Sequence, residues 1–513
     1  MQAIQATGVN KPASQIMLLE DTNNDGKMDK SAVFIDKLVS PRMLLCLGNE
    51  LLVNEINSPN IYAYKDTDGN GKSDQKRTVF RRKKKSYSNK GLLGNGLDWN
   101  LDNWIYVTNA PVRFRYDGMK MQIDSLLYGN NGQWGITHDN YGRLFYSKAT
   151  AGLPACGFQI NPVYGQLDLT DKYQHSTFAA VWSVIKLPDV DSRPGNTGTM
   201  HTITRFTAPC GQSIFRGDRL PESMRGDYLV AEPAGNLIRR AKVTLNEGKV
   251  TLRNVYAHDE FITSTDMNFR PVNTYTGPDG CLYIVDMNQG FNRDARQGQP
   301  FLNTPIRSKN YKTGRIYRLV HDELKPGPRP RMLNEPTETL VTYLDHPNGW
   351  WRDNAQKEMV VRGDRWITPF LKQIVSGEKG PMSHEPSAVA RVHALWTLEG
   401  LEDVDMIDLQ MALEDKDAQV RKAAVLISEP YLKEDNTQVI VWLEPLVNDR
   451  SYEVRAQLFL SLSYSKSEEA KNLLKEILCR NPGNELLGGI QNTLTRNEKG
   501  KAYRSNLLAF NKQ

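Results

Sequence analysis

Two segments of this sequence carry carboxylate and amide oxygens at the spacing of a cation-binding loop. In the first, Asp21, Asn23, Asp25 and Asp29 take positions 1, 3, 5 and 9, with Gly26 at position 6. In the second, Asp66, Asp68, Asn70 and Asp74 repeat the pattern around Gly71. Hard oxygen donors alternating around a glycine turn suit Ca²⁺. Position 12, where such loops hold a glutamate, is Ala32 in one and Arg77 in the other. Affinity then rests on a carboxylate from elsewhere, and the competing reading is an Asx-rich hairpin turn without metal.

A second concentration of polar residues runs through Gly211–Pro221, Arg225–Arg240 and Ser264–Asn273, and ends at Asp286. Arg216, Asp218, Glu232, Asp266, Arg270 and Asp286 fall at expected strand ends. Strand ends on a rigid scaffold are where binding sites are built. The alternative role is an ion-pair network pinning neighbouring units. No GxSxG, HExxH, P-loop or strand-following GxGxxG occurs, and the eight histidines, His201 among them, lack metal-ligand spacing. No catalytic residue is assigned.

These residues need elements to hold them, and the chain supplies two kinds. The Asp21 segment recurs 45 residues later at Asp66, each followed by a β-branched or aromatic run, Ala32–Ile35 and Thr78–Phe80. A turn followed by alternating large apolar residues recurs at Asp102–Val107, Asn140–Tyr146 and Pro278–Val285. Repeats of this length built from short strands read as propeller blades. Residues 15–320 are therefore expected to form a β-propeller of about six blades, after a polar tail at 1–14 and with a loop-rich insertion over 150–205. A Pro-rich linker follows at 321–338. Residues 339–513 read as amphipathic helix pairs, because Asp415–Ala424 is matched 34 residues later by Asp449–Leu458. This pattern resembles the HEAT repeat, and implies an armadillo-like α-helical solenoid with an extended surface for a protein partner.

Composition narrows the classes. With 39% hydrophobic and 24% charged residues among 513, the chain is neither disordered nor collagen-like. No apolar run approaches the ~18 residues of a membrane span. Of the net charge of +6, five units come from Arg81-Arg82-Lys83-Lys84-Lys85. That run reads as a solvated loop and not as a nucleic-acid site, because no aromatic platform interleaves with it. The five cysteines include no CxxC, which excludes a zinc ribbon and a CxxCH haem site. The polar start of the chain, running almost at once into Gln15–Leu19, favours a missing front end that would hold an export signal.

Several segments resemble the bacterial membrane-bound dehydrogenase family, also described as PVC-type haem-binding proteins. They are Leu19–Lys27, Ile214–Pro221, Glu232–Arg240, Phe269–Asn273, Gly277–Met287, Gly314–Arg318 and His346–Asp353. The propeller of that family is similar to the soluble quinoprotein glucose and sorbosone dehydrogenases. The resemblance implies export to the periplasm or cell exterior and oxidation of a sugar or small alcohol with pyrroloquinoline quinone. Arg216, Arg270, Asp266 and Asp286 would orient cofactor and substrate, and a cytochrome c would accept electrons. The fused cytochrome domain of many members is missing, so no haem is expected. The stretch Ser88–Leu97, where related chains place a histidine, has none. Because a base must reach the proton it takes, that departure favours the alternative of a non-catalytic carbohydrate- or protein-binding propeller with a helical scaffold.

Overall fold

The computed structural model describes residues 14–23, 25–55, 58, 60–81, 95–108, 110–116, 118–126, 132–167, 178–185, 187–188, 200–288 and 314–496. The polar tail to residue 13 and the basic run from Arg82 onward lie outside them, as does most of Ser88–Leu97. A two-stranded ribbon, β1 (Ser14–Glu20) and β2 (Lys30–Leu38), comes first. Blade one is β3 (Pro41–Leu47), β4 (Glu50–Glu55), β5 (Ile61–Lys65) and β6 (Gln75–Phe80). Blade two is β7 (Leu97–Trp99), β8 (Ile105–Val107), β9 (Val112–Tyr116) and β10 (Met121–Ser125). Blade three is β11 (Ile136–His138), β12 (Leu144–Lys148) and β13 (Leu153–Cys156), followed by a short pair, β14 (Leu187–Pro188) and β15 (Met200–His201). Blade four is β16 (Cys210–Ile214), β17 (Tyr228–Glu232), β18 (Leu237–Asn246), β19 (Lys249–Asn254) and β20 (Ile262–Thr263). Blade five is β21 (Pro271–Thr276), β22 (Leu282–Asp286) and β23 (Arg315–Leu319).

Among the described residues the propeller thus has five sheets of three or more strands, where the sequence spacing predicts about six. The difference has two sources. Among the described residues the ribbon has two strands, and the connection from blade three to blade four adds the β14–β15 pair. Each recurrent turn lies at the same point of its blade, between the first and second strands. The β7–β8 turn places Asn103 at φ 59°, the β11–β12 turn Gly142 at 78° and the β21–β22 turn Gly280 at 79°.

Blades pack face to face. Met43, Leu47, Leu52 and Val79 of blade one interleave with Leu97, Trp99, Ile105 and Phe114 of blade two. Phe215, Leu229 and Ile238 of blade four meet Leu282 and Ile284 of blade five. Near the axis the approach is closest at Gly211, whose φ is +53° and where an added Cβ would lie 2.0 Å from the Val272 carbonyl oxygen.

The helices follow: α1 (Thr337–Thr342), α2 (Gly349–Arg362), α3 (Thr368–Val375), α4 (Ala388–Gly400), α5 (Met406–Leu413), α6 (Ala418–Ile427), α7 (Glu429–Lys433), α8 (Thr437–Leu443), α9 (Tyr452–Leu462) and α10 (Glu468–Arg480). The matched segments do equivalent work. Arg391 grips Asp415 with contacts of 2.8 and 3.0 Å, and Arg421 grips Asp449 at 2.6 and 2.8 Å. Each aspartate also accepts from the backbone N–H two residues on, Asp417 and Ser451. Val420 and Val454 are fully buried.

The Gly211 geometry generates one expectation. Gly211→Ala forces a left-handed β-carbon against a neighbouring blade, and should cost about 3 kcal/mol or more, read as a fall in the urea midpoint.

Candidate functional site

Helix α2 lies across the turn face of the propeller and touches every blade. Its N-cap, Asn348, accepts from Trp350 N and donates through Nδ2 to the carbonyls of Gly277 and Pro278 in blade five. Gly349 N donates to the Arg216 carbonyl of blade four at 2.8 Å. A Cβ at Gly349 would sit 2.6 Å from Arg216 Nε, so the glycine permits the approach. Arg352 donates to Asn140 Oδ1 of blade three at 2.6 Å. Gln356 donates to the Leu101 carbonyl and to Asn103 Oδ1 of blade two. Gly48 of blade one lies beneath Val361 and Glu358.

At the centre of this contact is Asp353. Arg216 donates to both of its oxygens, Nη1 at 2.6 Å and Nη2 at 2.8 Å. His138, at the end of β11, places Nε2 3.3 Å from Asp353 Oδ2 and Nδ1 2.7 Å from Asp98 Oδ2. Arg216 Nη1 stands 3.0 Å from His138 Nε2, so guanidinium and imidazolium share one carboxylate. Burial works to lower the His138 pKa, but Asp98 and Asp353 overcome it and raise it to about 10. Burial works to raise Asp353, and Arg216 and His138 hold it well below the usual carboxylate range. Close by, His393 is driven by burial well below its ordinary value, and its Nδ1 lies 2.7 Å from Gln356 Oε1.

The six residues marked by sequence do not meet in one place. Arg216 and Asp218 lie on the helix-covered face. Glu232, Arg270 and Asp286 gather on the opposite face, with Asp266 at the rim. The reason is the register of blade four: Ile214 pairs with Tyr228 at one end and Cys210 with Ala231 at the other. A five-residue strand separates its ends by roughly 15 Å.

On the opposite face, Glu232 is fully buried and accepts from Thr207 N, Thr207 Oγ1, Ala208 N and Ala234 N, at 2.9 to 3.1 Å. Burial raises its pKa. Asp286 Oδ1 accepts from Arg270 N and Asn288 N, while Oδ2 is buried without a hydrogen-bond partner among the described residues. Burial lowers Arg270 to about 10, against the pull of Glu232 and Asp286. Asp266 is exposed and caps Asn268 N at 2.9 Å.

The two acidic loops join β1 to β2 and β5 to β6, and they share one geometry. Asp21 accepts from Asp25 N and Gly26 N, and Asp66 from Gly69 N and Gly71 N. Asp29 accepts from Thr22 N and Oγ1, and Asp74 from Thr67 N and Oγ1. Asn23 and Asn70 each accept or donate within their own loop, to Asp25 and Asp68. In the second loop, oxygens of Asp66, Asp68 and Asp74 lie within 4.8 Å of one another. In the first, Arg318 and Arg329 stand 3.9 Å from Asp21 and supply positive charge already.

Fold and site together define a β-propeller whose axis is crossed on one face by a helix of its own C-terminal stack. The chain belongs to the family described as "Domain of unknown function (DUF7133)", whose sequence model matches residues 2–323. No curated protein matches the sequence. Among solved structures, the soluble aldose sugar dehydrogenase of Escherichia coli is similar over 48% of this chain and 92% of its own, at 14% identity and a TM-score of 0.29. An oxidoreductase of the glucose dehydrogenase type from Thermus thermophilus is similar over 55% and 97%, at 16% identity and a TM-score of 0.26. Likenesses at this level say nothing about activity.

The ion cluster makes stability depend on pH in a defined direction. His138 is raised in the folded state, so its contribution is complete below an unfolded value of about 6.5 and is lost as pH rises through about 10. Urea unfolding should therefore show stability falling from pH 7 to 10, and His138→Gln should flatten that fall. Asp353→Asn leaves Arg216 and His138 without their shared anion and should cost about 3–5 kcal/mol.

Proposed function

We propose that the protein is a carbohydrate-binding propeller with a helical arm for a protein partner, and that it binds without oxidising. The observation that supports this is the state of His138. It stands beside α2, Asp98 and Asp353 raise its pKa to about 10, and both its nitrogens are engaged. It therefore has no lone pair with which to take a proton from an alcohol. The opposite face supplies one exposed group suited to sugar hydroxyls, Asp266 at the rim, while the Asp286 Oδ2 and Arg270 Nη2 atoms of that face are buried.

Pyrroloquinoline quinone, which the family resemblance implies, is not fitted by these residues. It is a tricarboxylate, and the Arg270 cation already faces the carboxylates of Glu232 and Asp286. A cytochrome c partner belongs only with the oxidising reading. The HEAT-like pattern of the helices, with its Arg–Asp ladder, supports the docking arm. A periplasmic or extracellular setting is part of the proposal. No helix among the described residues is long and apolar enough to cross a membrane.

Calcium enters the proposal at the second acidic loop, where three carboxylates converge and no arginine is ion-paired with them among the described residues. Ca²⁺ should then raise the melting temperature and EDTA lower it, and Asp68→Ala should abolish both responses. For the binding role, a saturating sugar at 100 times its Kd should stabilise the fold by about 2.7 kcal/mol, and Asp266→Ala should weaken that shift. With the quinone, Ca²⁺ and an artificial dye, no sugar-dependent dye reduction is expected. Dye reduction above the protein-free rate would replace this reading with the oxidising one.

A further inference from the structure

The seam between the ring and the helical stack holds a cavity of about 80 Å³. Its described walls come from both sides. The β11–β12 turn brings Tyr141, the segment after blade three brings Ile160, and α4 and α6 bring Val392 and Lys422. One face of α9 supplies Glu453, Ala456, Gln457 and Leu460, spaced as neighbours on a helix surface. The tip of the β18–β19 hairpin meets the stack at the same seam, where a Cβ at Gly248 would lie 2.9 Å from Tyr452 and 3.0 Å from Leu486. Junctions between domains are where small-molecule pockets concentrate.

The lining offers hydrogen-bonding groups of both kinds. Gln457 is 6% exposed, and its Nε2 is spent on the Tyr164 hydroxyl at 2.7 Å and Ser461 Oγ at 3.0 Å. Its Oε1 has no hydrogen-bond partner among the described residues. Asn100 Oδ1 and Gln419 Oε1, on the same wall, also lack partners there but are sealed from contact; the Gln457 oxygen is not. The Tyr141 hydroxyl is likewise unsealed and unpartnered among the described residues. The Lys422 ammonium spends one N–H on Glu453 at 3.3 Å and keeps its others. Thus the cavity presents an acceptor, a donor and a hydroxyl that can act as either.

Charge and size narrow the ligand further. The charged residues of the lining balance, Asp102 and Glu453 against Arg143 and Lys422, which suits a neutral molecule. A hydroxyl donates and accepts, so it answers both Gln457 Oε1 and Lys422. The Glu453 end and the Gln457 end of the cavity are one helical turn apart, ~5.4 Å. By liquid volume the space equals roughly two or three waters, the scale of a three-carbon chain bearing hydroxyls. Ile160, Val392 and Leu460 give the carbon skeleton an apolar wall.

We infer that the seam cavity is a binding site for a small neutral polyol of about three carbons, with one hydroxyl donating to Gln457 Oε1, another accepting from Lys422, and Tyr141 completing the contacts. Such a ligand bonds to the ring through Tyr141 and to the stack through Gln457 and Lys422, so it ties the two together. The site is separate from the opposite face to which carbohydrate binding is assigned, and it stands whether or not that assignment does.

The test is a saturation-transfer NMR titration of the full chain with glycerol. Binding should saturate in the millimolar range, the reach of a ligand of about six non-hydrogen atoms. Ethanediol should compete. Ethanol, with one hydroxyl, and mannitol, with twice the carbon chain, should not. Tyr141→Phe, which keeps the ring, and Gln457→Met, which keeps the length, should each weaken glycerol by about 10-fold, the value of one hydrogen bond. Ala456→Leu, which fills the cavity, should abolish binding, and Asp266→Ala should leave it unchanged. A glycerol signal that never saturates shows a cavity for water alone and overturns the site. Equal competition by mannitol, or binding that survives Tyr141→Phe and Ala456→Leu, overturns it too. Loss of binding in Asp266→Ala would move glycerol to the opposite face.

Discussion

The structure turns on one carboxylate. Asp353 is carried by the second helix of the C-terminal part and half-buried against the propeller, where the buried Arg216 of blade four and His138 of blade three bind it together. Burying charge is costly, and such a pair repays the cost only when its geometry is good and every remaining donor is used. Here Arg216 Nε finds Asn140 at 2.7 Å and His138 Nδ1 finds Asp98. The same Asn140 oxygen accepts from Arg352, so blade three, blade four and α2 meet at one polar knot. An apolar contact would tolerate sliding of the helix over the ring. This arrangement permits one register.

That register has chemical consequences. It consumes Arg216 and His138, and the Asp353 carboxylate helps to raise the pKa of the histidine. The opposite face, which the knot does not touch, keeps its own polar residues, and Glu232 there serves the backbone of the loop before β16.

Gly211 and Gly349 show the same principle at the level of backbone. Each sits where a neighbouring element comes too close for a side chain: the Val272 carbonyl in one case and the Arg216 side chain in the other. Their value lies in contacts far away in sequence, so neither could be told from an ordinary turn glycine by local pattern.

Much of the architecture follows from local order. Alternating apolar residues behind Asn- and Gly-bearing turns produce hairpins wherever they occur, and the 34-residue match fixes which Asp meets which Arg between successive helical units. The acidic loops likewise make their bonds within a dozen residues, so their shared geometry is readable from the chain. What sequence could not supply is anything that depends on which end of a strand faces which side of the ring. Arg216 and Glu232 are near in sequence and lie on opposite faces, because one strand runs up and the next runs down. Asp98, His138 and Asp353 are dispersed over some 255 positions and meet only when blades close around an axis and a helix crosses it. The Asn348-Gly349-Trp350-Trp351-Arg352-Asp353 segment was conspicuous as a motif, but its role appears only against a surface built by five separate sheets. Hydrogen bonding within a hairpin is a local matter; the pairing of buried charges is decided by tertiary packing alone.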